Sequence, residues 1–106
     1  MKKQLLCIAL ALSTYGVWAQ SLLLQNFQNP PHSAKPIVWW HWVGNNVTKE
    51  GITKDLEWMK RAGIGGFQAF DVSIGGGQTV EKKIKYMTPE WFELIKHTAA
   101  EADRLG

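Results

Sequence analysis

The chain has 106 residues, 45% hydrophobic and 20% charged, with a formal net charge of +3 and one cysteine. A single cysteine excludes a disulfide framework and a thiolate metal cluster. The positive balance is no argument for a nucleic-acid partner, because Lys2 and Lys3 belong to a stretch that reads as a removable leader.

That leader is residues 1–19. Lys2 and Lys3 make a basic start, Leu5 to Leu12 an apolar run too short to span a bilayer, and Val17-Trp18-Ala19 a cleavage site before Gln20. The pattern is that of a secretory signal peptide. The mature protein is therefore expected to be exported to the periplasm, cell surface or medium, with no membrane attachment after cleavage. Cys7 leaves with the leader, and loss of Lys2 and Lys3 lowers the net charge to +1.

Residues 20–35 are polar and interrupted at Asn29-Pro30-Pro31, and predict an extended lead-in. Ile37 to Trp42 is an apolar run rich in β-branched and aromatic residues, entered through Pro36, and predicts a strand. Gly44-Asn45-Asn46 breaks it with turn chemistry. Thr48 then caps a helix, Glu50 suits its dipole, and Ile52, Leu56 and Met59 recur on one face. Glu50–Lys54 and Glu57–Arg61 have the spacing and orientation of stabilising helical pairs, and Gly63 ends the helix.

Ile64 to Asp71 reads as a second strand, and so little chain separates it from the helix that it must return parallel to the first. This is one βαβ unit of the usual ~30 residues. Val72 to Met87 forms a connection longer than the ~2–6 residues common for βα loops. Thr88-Pro89-Glu90 opens a second helix, whose apolar stripe is Trp91, Ile95, Thr98, Ala102 and Leu105, broadened by Phe92 and Ala99. Glu93, Lys96, His97, Asp103 and Arg104 fall largely outside that stripe and read as solvated. Alternating β and α predicts a parallel sheet covered by helices. Two strands and two helices cannot cover both faces of such a sheet. The expected architecture is α/β, an incomplete (β/α)8 TIM barrel with only its first two βα units in residues 36–106, the start of a longer catalytic domain.

Barrel active sites lie at the carboxyl ends of the strands. Alternation sends Trp40 and Trp42 to one side of the first strand and Trp39 and His41 to the other. Trp40 and Trp42 are expected to face a sugar and Trp39 to be core. His41 is either a ligand-binding donor or a satisfied strand-end histidine. Gln68 and Phe70 are expected to face the barrel, with Phe67 and Ala69 toward the helices. Asp71 ends its strand where barrels carry functional groups, although loop-bracing aspartates are commoner. Gly75-Gly76-Gly77 does not open a capped helix, so it is no dinucleotide fingerprint, and no HExxH motif, paired His/Cys spacing or nucleophile elbow occurs.

The segments SAKPIVWWHW, NVTKEGITKDLEWMKRAGIGG, QAFD and TPEWFELIKHTAAEADRLG resemble the start of glycoside hydrolase family 106, the secreted bacterial α-L-rhamnosidases. The resemblance implies a (β/α)8 catalytic barrel acting on rhamnose-containing polysaccharides or glycosides, with inversion at the anomeric carbon and calcium at the site. Trp40, His41, Trp42, Gln68 and Asp71 would form part of its sugar-binding wall. The family's catalytic glutamates come from later strands. Here Glu50, Glu57, Glu90, Glu93 and Glu101 read as helical and Glu81 as loop, so neither acid, base nor calcium ligand is assigned to this chain. The rival reading is a non-catalytic carbohydrate-binding module or a truncated remnant.

Overall fold

The computed structural model describes residues 21–106, which puts the signal peptide outside the described residues. The chain divides into two compact units, Met1–Ala34 and Lys35–Gly106. In the first, residues 21–28 are helical (α1) and a 3-10 turn follows at His32–Ala34. The expected extended lead-in is thus corrected to helix. Leu22 to Gln28 holds no β-branched residue, glycine or proline, and Pro30 follows to stop the helix.

The second unit runs β1 (Ile37–Val43), α2 (Lys49–Arg61), β2 (Gly66–Val72) and α3 (Pro89–Leu105). The two strands pair in parallel, from Ile37 opposite Gly66 to Val43 opposite Val72. Both carboxyl ends therefore lie at one end of the sheet.

Local chemistry explains each boundary. Thr48 caps α2, its hydroxyl accepting from the Gly51 N–H at 3.0 Å. Ala62 closes the helix, and Gly63 follows at φ 79°, a left-handed conformation that favours glycine. Thr88 caps α3 by accepting from the Trp91 N–H at 3.3 Å, with Pro89 in the first turn.

One face of the sheet carries the core. Trp40, Trp42, Val47, Ile52, Leu56, Met59 and Leu94 are buried together, with Val38, Phe67, Trp91, Ile95 and Leu105 packed against them. Burying a large aliphatic side chain contributes about 1.5–3 kcal/mol, so this cluster outweighs any single polar contact in the unit. Leu94, not Phe92 or Ala99, flanks the α3 stripe; Phe92 and Ala99 are exposed. Neither α2 nor α3 packs on the opposite face of the sheet, where Ile37 and Trp39 stand exposed.

Candidate functional site

Period-two alternation leaves open which set of side chains meets the helices, and here it is the set containing both expected sugar-facing tryptophans. Trp40 is 8% exposed and Trp42 4%, both beneath the helices, whereas Trp39 is 70% exposed. The burial of these three is therefore the reverse of what was expected: Trp40 and Trp42 are core and Trp39 is at the surface. A side chain's height along the strand says nothing about its face, and α2 settles on Val38, Trp40 and Trp42.

Each buried indole is fixed by its neighbours. Trp40 Nε1 donates to Asp55 Oδ2 at 2.9 Å and its ring stands edge-on to Phe67 at 5.1 Å. Trp42 lies between Trp40 and Trp91, at 5.5 and 6.3 Å, and its buried Nε1 has no hydrogen-bond partner among the described residues. Asp71 is on the same side, where Oδ2 accepts from Trp91 Nε1 at 3.0 Å. Its observed contact is thus the bracing one, tying β2 to α3.

The face away from α2 and α3 gathers different residues. Trp39 stands 6.1 Å from His41 and 5.4 Å from Phe70, and His41 is 5.6 Å from Phe70. Gln68 is exposed and pairs in register with Trp39, as Phe70 does with His41. Of the five candidate residues, the fold groups His41 and Gln68 here, next to Trp39 and Phe70. It sends Trp40, Trp42 and Asp71 to the other side.

Above the strands the two βα loops are joined. Gly44 N–H donates to Val72 O at 2.8 Å and Ile84 N–H to Asn45 O at 3.1 Å. Asn46 Nδ2 donates to Gly77 O at 3.0 Å and Asn46 Oδ1 accepts from the Thr79 N–H at 2.9 Å. A cavity of about 170 Å³ sits below this junction, lined among others by Trp40, His41, Trp42, Asn46, Asp55 and Val80.

Sequence reasoning passed over Asn46 and Asp55. The signal for Asp55 was a carboxylate three residues after Ile52, at the edge of the buried stripe. Nothing local marks Asn46, whose partners lie more than thirty positions downstream.

Charged groups stay at the surface. Lys54 pairs with Glu50 at 2.6 Å, as expected. Glu57 pairs not with Arg61 but with Arg104 of α3, at 3.0 Å, and Arg104 also holds Glu101 at 2.7 Å. The hydrogen bond from Arg104 lowers the Glu101 carboxyl below its ordinary 4.5, and Arg104 is correspondingly raised. His97, expected in solvent, is half-buried with Nε2 3.0 Å from Thr53 Oγ1 and 3.1 Å from Lys49 O. Among the described residues, no group of three His, Cys, Asp or Glu side chains is placed to hold a metal ion. No helix among them is long and apolar enough to cross a membrane.

Residues 28–106 match the family model described as alpha-L-rhamnosidase, glycoside hydrolase family 106. The chain belongs to that family. A solved rhamnosidase from Novosphingobium sp. PP1Y is 57% identical, with a TM-score of 0.74 over 76% of this chain and 8% of its own. A "Putative beta-glucuronidase" of Formosa agariphila is 43% identical over 84 residues, 79% of this chain and 7% of that protein. The chain thus spans less than a tenth of either relative. The two βα units resemble part of a rhamnosidase.

Proposed function

We propose that this chain is the amino-terminal part of an exported glycoside hydrolase that removes terminal α-L-rhamnose from polysaccharides or glycosides. Its two βα units would open a (β/α)8 barrel. One observation carries the reading: exposed Trp39 and His41 stand with half-buried Phe70 on the sheet face that neither α2 nor α3 covers. In a barrel, helices cover the outside, so that face lines the interior, and the strand ends carry the site. His41 and Phe70 lie nearer those ends than Trp39 and Gln68. Rings set beside an imidazole and an amide suit a sugar, which offers C–H faces and hydroxyl edges together.

An inverting glycosidase needs an acid and a base about 6.5–9.5 Å apart with water between them. No glutamate of this chain sits at a strand end: five lie in α2 or α3 and Glu81 in the long loop. Asp55 and Asp71 are engaged with Trp40 and Trp91. Acid and base are therefore assigned to polypeptide beyond these units. The described residues bring no three His, Cys, Asp or Glu side chains together, so no calcium ligand is assigned to this chain and no step is derived through calcium.

The name of the Formosa relative favours a second reading, in which the sugar is a β-glucuronide. The test uses the purified chain with aryl α-L-rhamnoside and aryl β-glucuronide, followed by NMR titration with L-rhamnose and D-glucuronate. The expected result is no turnover of either substrate and movement of the Trp39 indole resonance by L-rhamnose. Turnover would overturn the assignment of acid and base. A response to glucuronate alone would favour the second reading.

A further inference from the structure

We propose that Asn46 is a positioning residue, and that it latches residues 73–80 as a strap across the carboxyl end of β1, making the strap one wall of the sugar site. The wall rests on the glycosidase reading above; the latch does not.

The strap has little packing of its own. The positions a Cβ would take at Gly75, Gly76 and Gly77 have nothing within 4 Å. Its place is set by polar contacts, and one side chain makes two of them. The Asn46 amide donates to Gly77 O and accepts from the Thr79 N–H, while a longer contact at 3.3 Å from Nδ2 to Val43 O steadies it against β1. An amide alone among short side chains offers a donor and an acceptor side by side, as a backbone does.

Close fitting at Gly44 supports the same geometry. Its φ is +60°, and a Cβ there would lie 3.3 Å from Ile74 O, so the strap's backbone already lies close over the first loop. Further along, Gln78 Nε2 donates to Val80 O and Glu81 O at 2.9 Å, which turns the chain back toward Ile84 and its bond to Asn45. Val80 thereby comes to line a cavity with Asn46, Trp40, Trp42 and Asp55 on the helix side of β1, which His41 also borders at the strand end. The strap is held next to the strand end that carries the candidate sugar contact.

The test is amide hydrogen exchange on the full chain, with Asn46→Ala and Asn46→Asp. Losing a hydrogen bond of ordinary strength should speed exchange of the Thr79 N–H about tenfold in Asn46→Ala. Leu56 and Met59 in α2 should keep their wild-type rates. Asn46→Asp retains an oxygen for the Thr79 N–H and should restore its protection. Unchanged Thr79 exchange in Asn46→Ala overturns the latch. So does equal loss of protection in α2, since Asn46 would then hold the whole unit and not the strap.

A second arm titrates L-rhamnose and follows His41. Asn46→Ala should need severalfold more sugar for the same shift. Equal titrations in wild type and variant overturn the wall. No response in wild type overturns the glycosidase reading and leaves the latch to the exchange data.

Discussion

Trp39 and Trp42 stand three positions apart on one strand and meet opposite surroundings. Trp42 is enclosed by two other indoles and the helices, so Trp42→Ala should destabilise the unit by about 3–5 kcal/mol. Trp39→Ala should change stability by less than about 1 kcal/mol, because most of that ring is already in solvent. Urea denaturation of the two variants checks the contrast, and equal losses would mean that the faces are assigned wrongly. Trp42→Phe sharpens it. The buried Nε1–H has no partner among the described residues, and removing it while keeping an aromatic ring should cost less than removing the corresponding group at Trp40, which takes an Asp55 bond with it.

The two helices illustrate how far local chemistry carries. Thr48 and Thr88 as caps, Ile52, Leu56 and Met59 as the α2 stripe, and Gly63 as its terminator all stand where the sequence predicts, because each depends only on neighbours within a turn or two. Thr48→Ala should accordingly cost about 1 kcal/mol in thermal denaturation. The misread positions are those whose partners lie far along the chain. Glu57 reaches Arg104, His97 lies against α2, and Leu94 enters the core where Phe92 was expected to help.

Acid should expose the surface pairs on these helices. Glu50, Glu93 and Glu101 are lowered below 4.5 by hydrogen bonds from Lys54, Lys96 and Arg104. The unfolded chain then binds protons before the folded one, so their contribution is complete above the ordinary carboxyl value and is lost as pH falls through the lowered ones. The melting temperature should hold between about pH 7 and 5 and decline below about 4.5, and Glu101→Gln should flatten part of that decline. These groups are exposed, so the effect should be small and weaker in high salt.

At the scale of the whole chain, the order β, α, β, α and the parallel pairing were legible from hydrophobic period, caps and loop length. Family membership was legible from the tryptophan cluster and the α2 segment. Which tryptophans would be buried was not. Both halves of the β1 alternation carry tryptophan, so hydrophobicity could not say which half α2 would cover, and the latch at Asn46 joins loops that no local pattern connects.

The zero-offset pairing of β1 with β2 has a consequence for synthesis. Every strand contact is made with residues only one helix further along, so the unit needs no distant sequence to begin organising. Once α3 has cleared the ribosomal tunnel, a nascent chain carrying these residues already holds a hydrophobic nucleus. An arrest-peptide profile should register a pulling event when α3 leaves the tunnel.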